Sequence, residues 1–278
     1  MKSSVILVVL AIGQSFVLFT KNIDVSVGSI MGLSAAVCGM LLTNGYNAFL
    51  SIFAAVMLGA SIGFINGIGV AKFRVPAIIM TLGMLGIVRG AMLIFTGGKW
   101  IEDISNNFKK LSSIVILGLP ITVWGILIVL LLLYFFLRKV PYGRYFYAVG
   151  DNEDGARLIG IPVNQVKINA FIVSGISAAI AGCIFVMNIG FVPNQTGTGI
   201  ELQVIAAAVL GGIHLKGGTG SIFGAALGAL FLEVISSSLI FLKIPAFWNN
   251  AISGFLLLLI IILDSVMKKW KAERRMNL

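Results

Sequence analysis

Ten carboxylates, one histidine and two cysteines are all that the chain offers for acid–base, metal or thiol chemistry, and the sequence does not bring them together. His214 has no cluster of Cys, Asp or Glu near it, so the spacing supports no metal site. Cys38 and Cys183 each lie inside an apolar run, where a thiol behaves as a small buried hydrophobe. There is no G-x-x-x-x-G-K-S/T loop to cradle nucleotide phosphates, no HExxH pair and no serine-nucleophile elbow. A ring of acidic residues typical of cation pores is absent as well. The chemistry to look for is binding and docking, not bond-making.

Polar groups inside apolar surroundings come first, because ionisable side chains are costly there. Asp24 follows Asn22 and precedes Ser26 at a helix start, where a carboxylate satisfies free backbone amides. Arg89 interrupts the run "LGIVRGAML" and must face a bundle interior or a water-filled cavity, either in an ion pair or toward a solute. Glu233 and Asp264 lie in the last two apolar runs. Two loops, "TGGKWIEDISNNFKKL" at 96–111 and "NIGFVPNQTGTGIEL" at 188–202, are rich in amides, hydroxyls and glycine. Asn194, Gln195 and Thr196 offer hydrogen bonds to a polyol. Trp100 offers either a stacking face for a ring or an anchor at a membrane interface.

The longest polar stretch is "RKVPYGRYFYAVGDNEDGARLIGIPVNQVKI" at 138–168. Asp151 or Asn152 can cap a short helix through Glu153, Asp154, Ala156, Arg157 and Leu158, and Gly160 can end it. Such a helix carries apolar residues with no lipid to hide them in. The stretch predicts a docked partner, with a merely solvated connection as the alternative.

Composition says what must position these groups. The chain is 59% hydrophobic and 11% charged, with a mean hydropathy of +1.06. A soluble domain carries about 25% charged residues, so much of this surface must face lipid. The 33 glycines are spread through apolar runs, as close helix packing in membranes requires. The net charge of +10 sits in short connections, which is a topology signal and not a nucleic-acid footprint. At roughly 20 apolar residues per crossing, the spans are 3–20, 25–43, 49–71, 77–96, 113–137, 169–187, 221–242 and 247–267, with a shorter one at 200–213. The sequence thus predicts an all-α transmembrane bundle of about nine spans, one domain over 1–278.

Positive charges orient it. Arg138, Lys139, Arg144, Arg157 and Lys167, and the tail cluster from Lys268 to Arg275, belong in the cytoplasm; Lys21, Lys72, Arg74 and Lys216 fall on the same side by parity. The loop at 96–111 then lies outside. Nine crossings also place Met1 outside, from which a further leading segment is expected.

"NIDVSVGSIMG", "VPAIIMTLGMLGIVRG", "TGGKWIE", "GRYFYAVGDNEDGARLIGI" and "AAVLGGIHLKGGTGSIFGAALGA", in this order, resemble the sugar-type ABC importer permeases of the ribose branch. The loops "TKNIDVSVGS", "GFVPNQTGTG" and "IPAFWNN" resemble most the permeases of autoinducer-2 import systems. The resemblance implies a bacterial inner-membrane subunit that catalyses no reaction and holds no cofactor of its own. It implies a cytoplasmic ABC ATPase that binds the ATP, a second and different permease subunit, and a periplasmic substrate-binding protein. By the same resemblance, 143–160 matches the element that couples to the ATPase, with Gly143, Arg144, Gly150, Asp151, Asn152, Gly155, Ala156, Arg157, Leu158 and Gly160 as its candidate residues. Asn22, Asp24, Ser26, Arg89, Asn194, Gln195 and Thr196 form a candidate translocation pathway. Ribose or another pentose is the alternative cargo, and a passive channel is the alternative class.

Overall fold

The computed structural model describes residues 2–243, residue 248, and 251–256, 258, 259 and 262. Over residues 2–243 the chain forms eleven helices and one small hairpin. The helices are α1 (Lys2–Phe19), α2 (Val27–Thr43), α3 (Ala48–Ala71), α4 (Ala77–Thr96), α5 (Asn106–Leu111), α6 (Ile121–Lys139), α7 (Pro141–Asp151), α8 (Glu153–Leu158), α9 (Val163–Ile189), α10 (Ile200–Leu210) and α11 (Ile222–Phe241). The hairpin pairs β1 (Val115–Ile116) with β2 (Leu119–Pro120).

Five helices are long and apolar enough to cross a membrane: Ala48–Ala71, Ala77–Thr96, Ile121–Lys139, Val163–Ile189 and Ile222–Leu239. Ser4–Phe19, Val27–Thr43 and Ile200–Leu210 are apolar but shorter. These eight segments match eight of the nine expected spans; within the ninth, 247–267, the described residues 248, 251–256, 258, 259 and 262 are helical, while Asp264 and the basic tail lie outside the described residues. Five long spans do not establish the expected count of nine.

Span boundaries differ from the sequence reading in three places. α9 begins at Val163, inside the stretch read as a loop and six residues before the expected 169. The run 113–137 is not one helix: its first residues form the hairpin, and α6 starts only after Pro120. Leu117 and Gly118 both adopt positive φ, 51° and 79°, which is the backbone of a tight two-residue hairpin turn. Trp124 Nε1 fastens it by donating to the Ile116 carbonyl at 3.0 Å. The last is 200–213, where the helix ends at Leu210, three residues earlier than expected, before its glycine-rich turn.

α1 and α9 form the centre. From Val5 to Phe19 every residue of α1 is buried, packed by α9, α10 and α11 and crossed by α7. α9 is 27 residues long, about 40 Å at 1.5 Å per residue, so its two ends mark the two ends of the bundle. Its contact with α3 is the most extensive in the fold. Glycines permit it: a Cβ on Gly63 would overlap the Phe171 carbonyl oxygen, and one on Gly175 would overlap the Gly59 carbonyl oxygen. Contrary to the sequence reading that no serine-nucleophile elbow is present, Gly59, Ser61 and Gly63 spell G-x-S-x-G, the spacing of that motif. They lie inside α3, and the Ser61 hydroxyl donates to the Met57 carbonyl at 2.8 Å, so the pattern serves helix packing. At the periphery, α4 and α6 expose Ile79, Leu82, Ile87, Leu131, Leu132 and Phe135, as helices facing lipid or other subunits do.

Candidate functional sites at the two ends of the bundle

The stretch at 138–168 holds the end of α6, the whole of α7 and α8, and the first turns of α9. α8 is the short helix expected from the sequence: the Asn152 side chain accepts from the Gly155 amide at 2.9 Å, and Gly160 follows its end at φ +81°. α7 was not expected. Pro141 starts it at the position where a missing N–H costs nothing. Its inner face carries Gly143, Phe146, Val149 and Gly150, all buried. That spacing, with aromatics between, is the signal that could have revealed it.

α7 lies across the end of α1. The Phe146 ring meets Phe16 edge-on at 5.1 Å, and Tyr147 packs on Phe19 at 4.4 Å. Burial pushes the Tyr147 hydroxyl up to about 12, against the smaller opposing pull of Arg138. Asn169 of α9 donates to the Tyr142 hydroxyl at 2.7 Å. Gly143 sits against the backbone of Phe136 and Leu137, and Arg144 points outward, exposed.

α8 is held by charge and leaves its apolar tip free. Glu153 accepts from Lys167 at 2.6 Å and from Arg157 at 2.8 Å. Burial alone would raise the Glu153 pKa, but the hydrogen bonds and charges of Lys167 and Arg157 outweigh it and hold the carboxyl below its ordinary value. Ala156 is buried, while Leu158 and Ile159 are 88% and 76% exposed. Asp151, Asn152 and Asp154 are exposed around them. Leu158 and Ile159 thus form an exposed apolar tip, ringed by polar groups and fixed to the bundle by ion pairs.

The candidate pathway residues divide into two groups. Asp24 and Ser26 lie in the α1–α2 connection and are fully buried. Asp24 Oδ1 accepts from the Ser26 amide at 2.9 Å and the Ser26 hydroxyl at 2.6 Å, and Oδ2 accepts from Ser174 of α9 at 2.9 Å. Asn66 of α3 donates to the Ser26 hydroxyl at 2.9 Å. Thr81 of α4 accepts from the Val25 amide at 3.1 Å, and the Gln14 amide, turned to satisfy both its groups, pairs with the Asp24 backbone at 3.2 Å. The turn's irregular backbone is thus satisfied from four helices, which is the condition for burying it at membrane depth. Asn22 lies nearer the surface and bonds back to Thr20. Asp24 and Ser26 are buried and face one another and their neighbours.

Arg89 and Thr196 come together beside the first turns of α2, where a Cβ on Gly28 would meet Glu201 and one on Gly32 the Thr196 carbonyl oxygen. Arg89 Nη1 donates to the Thr196 carbonyl at 2.7 Å, and Nη2 lies 3.9 Å from Glu201 Oε1. Asn194 donates to the Gly98 carbonyl at 2.9 Å, and Gln195 is exposed. Ile101 and Val192 exchange backbone hydrogen bonds at 3.0 and 2.8 Å, which brings Trp100 into a stack with Phe191 at 5.8 Å. Trp100 therefore stacks on a ring of the protein itself. The structural ion pair, not a free guanidinium, is the setting of Arg89. Gln14, Asn66, Thr81, Ser174 and Glu201 were not singled out in the sequence; the signal was a polar residue within an apolar run.

A mostly helical chain with several apolar spans packed on one another through small residues is a multi-pass membrane protein. The chain belongs to the family described as "Branched-chain amino acid transport system / permease component", whose profile matches residues 1–261. Among its relatives is the autoinducer 2 import system permease protein LsrC of Photorhabdus luminescens, 50% identical over 262 residues, covering 94% of this chain and 79% of the relative. The proteins of the same name from Escherichia coli (strain K12 / DH10B) and Salmonella typhi are each 49% identical over 94% of this chain, covering 77% and 76% of those relatives. No solved structure matches the chain significantly.

Proposed function

We propose that this chain is a membrane-spanning permease subunit of an ABC importer that carries autoinducer-2 across the bacterial inner membrane, driven by ATP hydrolysis on a partner ATPase. The observation that carries the reading is the pairing of half-identical relatives of that name with a charge-fixed helix, α8, whose Leu158 and Ile159 stand exposed. In this reading the chain crosses the membrane nine times within the residues given, with 138–168 in the cytoplasm and 96–111 outside. α7 and α8 are the ATPase-coupling element, a second permease subunit completes the pathway, and a periplasmic binding protein delivers the solute. The chain binds no cofactor itself.

The peripheral faces of α4 and α6 support this plan, since exposed apolar surface of that extent suits lipid and a neighbouring subunit. The test is uptake in a strain deleted for its own autoinducer-2 and ribose permeases and supplied with this chain and its partner subunits. Accumulation of labelled autoinducer-2, unaffected by excess ribose, supports the assignment. Accumulation of labelled ribose instead moves the cargo to a pentose.

A further inference from the structure

Three separate parts of the chain meet closely through glycines at one end of the bundle: the end of α1, the end of α7, and the glycine turn between α10 and α11. The Gly218 amide donates to the Phe19 carbonyl at 3.0 Å. A Cβ on Gly150 would overlap that same Phe19 oxygen and would lie 2.6 Å from the Gly218 nitrogen. A Cβ on Gly218 would lie 2.8–2.9 Å from the backbone and Cβ of Asp151, and one on Gly217 would lie 2.8–3.0 Å from Lys21. At each of these glycines the nearest atoms are backbone or Cβ atoms, with no flexible side chain between, so displacement of one segment must move the others.

The joint lies between two features already described. On one side Asp151 leads directly through the Asn152 cap into α8. On the other, Phe19 is five residues from Asp24, whose cluster ties α1 and α2 to α3, α4 and α9. The aromatic contacts Phe146–Phe16 and Tyr147–Phe19 run parallel to it, but such rings slide and repack. Backbone in contact with backbone does not.

We propose that the meeting of Gly150 and Gly218 on the Phe19 carbonyl is the joint through which movement of α8 enters the membrane helices, making Gly150 and Gly218 positioning residues for coupling. This rests on the reading that α8 docks on an ATPase. The α10–α11 turn thereby becomes part of the coupling apparatus, although it is some sixty positions beyond α8 in the sequence.

Gly150→Ala is the decisive variant, because alanine favours the helix that Gly150 occupies, so any loss comes from the contact. Gly218→Ala probes the other partner. Gly212→Ala is the control: it has positive φ, +85°, but open space around it. The complete complex is reconstituted with its ATPase and binding protein, and ATP hydrolysed is measured against labelled autoinducer-2 imported. The expected result is that Gly150→Ala and Gly218→Ala retain the ATPase on co-purification while the ATP hydrolysed per solute rises at least tenfold, and that Gly212→Ala couples like the parent. An unchanged ratio in both variants overturns the joint. So does failure of both to accumulate while Gly212→Ala accumulates, since the contact would then serve folding alone. Absence of ATPase binding by the parent complex would instead refute the underlying reading of α8.

Discussion

Asp24 and Ser174 are 150 positions apart in the chain, and the Ser174 hydroxyl donates to Asp24 Oδ2 at 2.9 Å in the fully buried centre of the bundle. The bond joins the turn after α1 to the middle of α9. Asp24→Ala removes the acceptor for the Ser26 amide, the Ser26 hydroxyl and Ser174 together. Leaving a buried donor unsatisfied costs about 1–3 kcal/mol, so the variant is expected to unfold at clearly lower temperature in detergent. Asp24→Asn keeps one oxygen acceptor and is expected to lose less. Equal melting of Asp24→Ala and the parent would show that the cluster does not hold the turn.

The Arg89–Glu201 contact yields a paired test. Arg89→Met removes the hydrogen bond to the Thr196 carbonyl and leaves Glu201, only 7% exposed, without its cation. A hydrogen bond to a charged group is worth about 1.5–3 kcal/mol, and that loss should appear in thermal unfolding. Adding Glu201→Gln to Arg89→Met should recover part of it. No recovery in the double variant would mean that the two side chains act independently.

Gly63 tests the packing of α3 on α9. Gly63→Val forces a branched side chain against the Phe171 carbonyl, and overpacking typically costs about 1–3 kcal/mol. Gly125→Ala in α6, with open space around it, is expected to be neutral or slightly stabilising. Thermal unfolding of both variants side by side separates close approach from a general intolerance of side chains.

The pH dependence of α8 follows from Glu153. Its carboxyl titrates below the ordinary 4.5 in the folded chain because Lys167 and Arg157 favour the charged form more than burial opposes it. A group depressed in the folded state contributes stability that is present above its unfolded pKa and lost as pH falls through the folded value. Hydrogen exchange of the α8 amides is therefore expected to be flat from pH 6 to 8 once corrected for intrinsic rates, and to accelerate below about 4.5. Glu153→Gln should abolish that acid step. An acid step that survives the substitution would assign it to another group.

Much of α8 was legible because its punctuation is local: the Asn152 cap and the Gly160 stop are within a few residues of the helix they bound. α7 was hidden, since its buried positions are aromatics and glycines mixed with Arg144, which reads as loop. The residues 113–120 misled in the other direction. Ile114, Val115, Ile116 and Leu117 are apolar yet exposed in a hairpin, and hydropathy does not distinguish them from the start of a span. That Arg89 must be shielded followed from its cost in lipid; that Thr196 and Glu201 shield it did not, because both lie over a hundred residues away. The Asp24 cluster has the same cause. Its partners Gln14, Asn66 and Ser174 look like isolated polar residues until the fold aligns four helices.

The account turns on α8 as the point where an ATPase drives import. Leu158 is 88% exposed, so Leu158→Asp leaves the fold intact while placing a charge in any apolar contact made there. The measurement is ATP-dependent uptake of labelled autoinducer-2 into vesicles containing the assembled complex, with permease abundance and ATPase co-purification read from the same membranes. The expected result is parent uptake that requires ATP, and a Leu158→Asp variant present at parental abundance that has lost both the ATPase and the uptake. Full uptake by that variant, or uptake by the parent without ATP, would contradict the account.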